Sequence, residues 1–231
     1  VCVKCYSLPD TVPFLSRFCG KGTLIIPLLN GLDIAERLQS MIPAAHIVLG
    51  SISVFSRRDS LTQITLSKSE IRVMLGAEAD APASIKSQLF AAASDLQDCG
   101  IDVRLSTHPK EQLFEKFIQM SPRSAVGVLH NAMLIKMQTD EEMRSDYEHL
   151  LDELVQLGNA MGIQNTEHYR AKCLDALHRY TPTQCTSLYR DWTSGARTEA
   201  ETILYAPVLL GRQYGLPMPT YQKVSRLFGY C

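Results

Sequence analysis

Hydrophobic spacing divides the chain near residue 108. Up to that point, short apolar runs alternate with amphipathic stretches, the pattern of strands that feed helices. Residues 1–6 predict a strand, and 9–18 predict a helix with Val12, Leu15 and Phe18 on one face, stopped at Gly20. The continuous apolar run 23–29 suits a buried parallel strand. Asn30-Gly31 then turns the chain, and Asp33 is placed to cap a helix over 34–41. Another strand is expected over 46–54. Runs at 61–66 and 70–75 flank a polar break and predict a hairpin. A helix over 82–97, closed by Gly100, leads to a last strand over 101–105.

From Pro109 onward only helical spacing remains. A helix over 111–120 is expected to break at Pro122, with the pattern resuming to Met137. Thr139-Asp140-Glu141-Glu142 reads as a capping box that opens a helix to Met161, stopped by Gly162. Helices over 167–179, 196–214 and 219–228 follow. Ser194 is placed to cap the second of these and Gly215 to close it. The expected fold class is therefore α/β plus all-α, with a sheet domain over 1–108 and a helical domain over 109–231.

Composition narrows the function. The 231 residues are 45% hydrophobic with a net charge of −1, and no block of like charge points to nucleic acid or a membrane surface. No apolar run is long enough to span a bilayer, and the first residues do not read as a signal peptide. Seven scattered cysteines fit a reducing cytoplasm better than a disulfide framework. Cys2-x-x-Cys5 has no second pair for zinc, and it reads as two buried core thiols. The six histidines show no paired metal spacing, so no metal site is expected.

Three polar residues sit where chemistry is possible. Glu199 leads the row Glu199, Ile203, Ala206, Leu210 at helical spacing. By spacing alone it reads as a solvated acid in the first turn that favours the helix dipole. Lys116 lies in an apolar seam with Leu113, Phe117 and Met120. It is either a surface lysine whose stem covers the seam or a desolvated amine able to donate a proton near neutral pH. Asn30 lies past the carboxyl end of an apolar strand, where open α/β sheets bind ligands, although Asn-Gly also suits a plain tight turn. Trp192 either packs or walls a cleft.

Four stretches resemble the ketopantoate reductase family, in the family's order. They are residues 1–5, the Leu-Leu-Asn-Gly-Leu at 28–32, the Phe-Glu-Lys-Phe at 114–117, and a last signature near the end. That signature runs Ser187, Leu188, Asp191, Gly195, Arg197, Thr198, Glu199, then Gly215 and Pro217. The resemblance covers nearly the whole chain. It implies a partial Rossmann-like NADP-binding domain followed by a helical domain of the 6-phosphogluconate-dehydrogenase C-terminal type, which binds substrate and dimerises. It also implies NADPH-dependent reduction of a 2-oxo acid to a 2-hydroxy acid, ketopantoate to pantoate, in pantothenate biosynthesis in the cytoplasm by a homodimer.

The resemblance assigns roles residue by residue. Lys116 matches the catalytic lysine that protonates the carbonyl oxygen. Asn30, Ser187 and Glu199 match substrate-binding positions, with Gln184 beside them. Lys4, Asn30 and Glu199 match positions on the cofactor side. The active site is expected in a cleft between the domains. No G-x-G-x-x-G is present, so the chain reads as opening partway through the nucleotide domain, with an exposed sheet edge. Met120 and Ser124 stand where the family often has asparagines, Gln184 where it often has Asn, and Pro207 where it has a small residue. These departures leave the reduction in place and open the substrate. The rivals are a related dehydrogenase with another substrate and a non-catalytic helical interaction module.

Overall fold

Alternation of side chains along β1 (Leu24–Ile25) and the extended residues after it organises the first unit. Ile25 and Leu29 point into a cluster with Leu8, Ile34 and Leu38, which come from α1 (Leu8–Phe18) and α2 (Ile34–Met41). Leu24, Ile26 and Leu28 pack into a second cluster with Ile85, Leu89 and Ala93 of α3 (Ala83–Asp98). A sheet with helices on both faces follows from this two-sided apolar pattern. The computed structural model describes residues 1–54, 56–66 and 70–231. It divides into two compact units, Val1–Leu113 and Phe114–Cys231.

Two small sheets are adjoined along the chain: in the first, β1 pairs in parallel with β2 (His46–Ile47). Val48 separates β2 from β3 (Leu49–Ser53), and its N–H still reaches the Ile25 carbonyl at 3.1 Å. β3 pairs antiparallel with β6 (Arg72–Gly76), and β6 pairs in parallel with β7 (Asp102–Leu105). Toward β2 the run 23–29 is ladder-bonded only over its first part, because Pro27 has no N–H to give. Gly50 lies against that proline: a Cβ there would sit 2.6 Å from the Pro27 carbonyl oxygen.

Several sequence expectations change here. Residues 1–6 form no strand; a 3-10 turn over Cys5–Ser7 leads into α1. Cys5 is buried but Cys2 is exposed, so they are not two core thiols. The expected hairpin of 61–66 with 70–75 is replaced by nested pairs. β4 (Ser56–Arg58) pairs with β5 (Ile64–Leu66), and β3 with β6. The polar break at 67–69 lies outside the described residues. Asp33 does occupy the cap position of α2, but its carboxylate takes the Arg37 Nε–H at 2.7 Å instead of a backbone N–H.

The second unit is all-helical, and the expected α/β plus all-α architecture holds. Its central element is α4 (Pro109–Leu129). Phe114, Phe117, Ile118, Ala125 and Val126 of α4 are almost fully buried, together with Tyr147, Leu150, Leu151 and Leu154 of α5 (Glu141–Ala160). Burial of each such side chain contributes about 1.5–3 kcal/mol. Pro122 does not break α4. The Ile118 carbonyl, which loses residue 122 as its helical donor, instead accepts from the Cys173 thiol at 3.6 Å. Burial pushes that thiol up to about 11, which keeps it protonated and able to donate.

Other helix boundaries shift for identifiable reasons. α4 ends at Leu129, and residues 134–138 form a separate 3-10 turn after Asn131, whose φ is 45°. The cap of α5 is Asp140, which accepts the Met143 N–H at 3.0 Å, so the capping box at Thr139 does not form. α6 (Thr166–Asp175) stops short of 179 and gives way to a 3-10 turn over Leu177–Arg179. α7 (Ser187–Thr193) comes next, and Ser194 closes it instead of capping the following helix. Its hydroxyl donates to the Asp191 carbonyl at 2.9 Å. The following segment is a π-helical turn, Glu201–Tyr205, running into α8 (Ala206–Gln213). α9 (Pro219–Arg226) is capped by a distant group: Glu153 of α5 accepts the Thr220 and Tyr221 N–H groups at 2.7 and 3.1 Å.

Candidate active site

In the first unit, Val1 pairs across Pro27. Its amino group donates to the Ile26 carbonyl at 2.8 Å, and its own carbonyl accepts from the Leu28 N–H at 2.8 Å. That is the hydrogen-bond pattern of a parallel pair. Lys4 and Asn30 follow Val1 and Pro27 by the same number of residues. They therefore emerge beyond the carboxyl ends of neighbouring parallel segments, the ligand-binding end of an open α/β sheet. Asn30 is half-buried, and Gly31 after it has φ 144°, a backbone conformation that favours glycine. In the same bend the Asp33 Oδ1 is buried with no hydrogen-bond partner among the described residues.

In the second unit, α4 carries Lys116 and the segment entering the π-helical turn carries Glu199. Glu199 is 4% exposed. This overturns the solvated-acid reading: the residue precedes Ala200 and its backbone carbonyl starts the helix by accepting from the Ile203 N–H at 3.1 Å, with the side chain turned inward. Burial lowers the Lys116 pKa from 10.5 to about 8, and the nearby charge of Glu199 opposes part of that fall. The two groups thus lie within electrostatic reach of one another. Lys116 is half-buried, and this desolvation favours the reading of an amine able to donate a proton near neutral pH.

The π-helical turn has its own supports. A π-helix leaves carbonyls out of the i→i+4 ladder, and Pro207 removes one more donor. The Ile203 carbonyl accepts from the Ser121 hydroxyl at 2.6 Å, and the Leu204 carbonyl from the Ser225 hydroxyl at 3.2 Å. Ser121 also meets the fully buried Tyr221 hydroxyl at 2.8 Å. Ser121 thus ties the helix of Lys116 to the turn that follows Glu199. Sequence reasoning missed this network. The readable signal was a pair of prolines, each deleting a helical donor, with buried hydroxyl and thiol side chains elsewhere in the same unit.

The remaining site residues are placed differently from one another. Ser187 is exposed at the start of α7, where Thr186 caps the helix by accepting the Tyr189 N–H at 3.2 Å. Gln184 is half-buried; its Oε1 accepts the Thr181 N–H at 3.4 Å and its carbonyl the Leu134 N–H at 3.3 Å. No interaction among the described residues joins Ser187 or Gln184 to the Lys116–Glu199 pair. Ser124 is buried, and its hydroxyl donates back to the Met120 carbonyl at 3.0 Å. Trp192 is half-buried, with its ring 6.2 Å from that of Tyr189. Among the described residues no cluster of three or more His, Cys, Asp or Glu could hold a metal ion, and no helix is long and apolar enough to cross a membrane.

Solved structures share this fold. D-mandelate dehydrogenase, solved with NADH and anilino(oxo)acetate, superposes with a TM-score of 0.85 at 16% identity, over 98% of this chain and 73% of its own. The 2-dehydropantoate 2-reductase of Methylococcus capsulatus does so with a TM-score of 0.84 at 21% identity, over 99% and 72%. The shared fold is a sheet domain followed by a helical second domain. Two family models match the sequence: "Ketopantoate reductase PanE/ApbA" over residues 1–79, and "Ketopantoate reductase PanE/ApbA C terminal" over residues 110–229. The chain belongs to the ketopantoate reductase family. Among curated relatives, the 2-dehydropantoate 2-reductase of Halobacterium salinarum is 23% identical over 98% of this chain and 73% of its own. The chain spans 66–74% of the length of the curated relatives it matches.

Proposed function

We propose that the chain carries the catalytic helical domain, and part of the nucleotide domain, of an enzyme that reduces a 2-oxo acid to a 2-hydroxy acid with NADPH. Ketopantoate is the substrate and pantoate the product. The observation that carries this reading is the half-buried, desolvated Lys116 within electrostatic reach of the buried Glu199. An amine titrating at about 8 is roughly 90% protonated at pH 7 and still transfers its proton readily. Lys116 donates that proton to the substrate oxygen as it becomes an alkoxide. Glu199 keeps the ammonium form populated and accepts a hydrogen bond from the new hydroxyl. Ser187, with Gln184 beside it, receives the substrate carboxylate.

A nicotinamide dinucleotide supplies the hydride when bound. The donor set in the first unit fits its nicotinamide end. Asn30 offers an amide, able both to donate and to accept, and Lys4 offers a cation, both at the carboxyl ends of parallel segments. Under this reading the enzyme works in pantothenate biosynthesis, in the cytoplasm, as a homodimer. A second reading, a bulkier apolar 2-oxo acid, is favoured by Met120, half-buried one turn from Lys116, and by Ser124, whose hydroxyl is spent on its own helix.

The test is NADPH oxidation across a panel of 2-oxo acids, with Lys116→Ala as the comparison. Ketopantoate should turn over, and the variant should lose about 10²–10⁴-fold in kcat. Unchanged turnover in the variant overturns the proton-donor role. Faster turnover of a bulky apolar 2-oxo acid selects the second reading.

A further inference from the structure

A cavity of about 240 Å³ opens in the helical unit, away from the groups assigned above. Arg123 of α4, Tyr147 of α5, Lys172 and Cys173 of α6, Arg179 of the 3-10 turn and Tyr180 after it line its wall; Lys116 and Glu199 do not. The size is below that of typical drug-sized pockets. It is large enough for a small polar molecule.

The wall is unlike that of a packing gap. Tyr147 and Tyr180 are 0% and 6% exposed, and neither hydroxyl has a hydrogen-bond partner of good geometry among the described residues. Buried polar groups in native proteins are nearly always paired. Two hydroxyls on one wall without a well-formed partner leave hydrogen-bonding capacity for a molecule from outside the chain. The two hydroxyls are near enough to interact as hydrogen-bonding groups, as are Tyr180 and Arg123, but none of these approaches has good hydrogen-bond geometry. The Arg123 Nε donates to the Gln119 carbonyl. Neither Arg123 nor Arg179 makes an ion pair among the described residues, whereas Lys172 is held by Glu115 at 2.9 Å. Asp175 also lines the wall, and against the three cations it leaves the lining positive.

We propose that this cavity binds a compact tetrahedral oxyanion, the phosphoryl group of a small phosphomonoester, between Arg123, Arg179 and the hydroxyls of Tyr147 and Tyr180. The donors come from three separate elements, so they converge from different directions. A planar carboxylate offers its lone pairs in one plane, whereas a phosphoryl group has three oxygens and accepts from several directions at once. The cysteine on the wall takes no part, since its thiol is spent on the Ile118 carbonyl. The site is independent of the reductase reading.

The test is calorimetric titration of the 231-residue chain with inorganic phosphate at fixed ionic strength, with malonate, a dianion whose charge sits on two planar carboxylates, for contrast. Phosphate should bind, Arg179→Gln should weaken it about tenfold or more, and Tyr180→Phe should weaken it several-fold. Arg179 is exposed and Tyr180→Phe removes one oxygen, so both variants should keep the native circular dichroism. Absence of phosphate binding, equal affinity in the wild type and both variants, or malonate binding as tightly as phosphate would each overturn the assignment.

Discussion

Replacing Ser121 with alanine removes one oxygen and strands two others. The Ile203 carbonyl has no helical donor at position 207, because that residue is proline, and the Ser121 hydroxyl at 2.6 Å replaces it. The Tyr221 hydroxyl, in a residue with no exposed surface, loses its partner at 2.8 Å. A buried polar group left unpaired costs about 1–3 kcal/mol, so Ser121→Ala should destabilise the helical unit by about 2–4 kcal/mol. Urea denaturation followed by the helical circular dichroism signal measures this. Pro207→Ala sharpens the test, because it returns an N–H to the turn. In the Ser121→Ala background it should recover about 1 kcal/mol relative to additivity. A Ser121→Ala variant within about 0.5 kcal/mol of the wild type, or a strictly additive double variant, would refute the claim that this hydroxyl stands in for the missing donor.

Two further outcomes follow from the same unit. Gly158→Ala should cost about 1–3 kcal/mol by overpacking, since its Cβ would lie 2.5 Å from the Phe114 ring and 2.8 Å from the Thr166 methyl; denaturation midpoints check this. Burial raises the Glu153 pKa above 4.5, although the N–H groups of α9 pull it back in part. The native state therefore holds that proton longer than the unfolded chain. Glu153 contributes stability that is full below 4.5 and is lost as pH rises through the folded pKa. Stability curves of the wild type and Glu153→Gln should diverge in that window, and parallel curves would count against the burial argument.

Much of the fold could be read from period alone. Apolar alternation around Leu24–Leu29 and helical spacing after Pro109 gave the α/β and all-α halves. What escaped was local chemistry that depends on distant residues. Pro122 looks like a helix breaker until Cys173, far along the chain, satisfies the carbonyl it orphans. Glu199 looks like a solvated first-turn acid because nothing nearby says that its side chain turns inward. Thr139 and Ser194 carry the right cap chemistry, yet Asp140 holds one cap and the closing turn of α7 takes the other serine. In the candidate site, the types and order of Lys116 and Glu199 were legible by resemblance. The tie from Ser121 to the π-helical turn was not, because hydroxyl-to-carbonyl bonds leave no period in a sequence.

The titration of Lys116 itself bears most directly on the account. Nuclear magnetic resonance of the chain with carbon-labelled lysine follows that side chain through its own midpoint. Burial against the opposing charge of Glu199 gives a midpoint of about 8, and Glu199→Gln should move it further down because the carboxylate is what holds it up. A midpoint at the ordinary 10.5, or one that stays still or rises when Glu199 loses its charge, would contradict the pairing on which the proposed proton transfer depends.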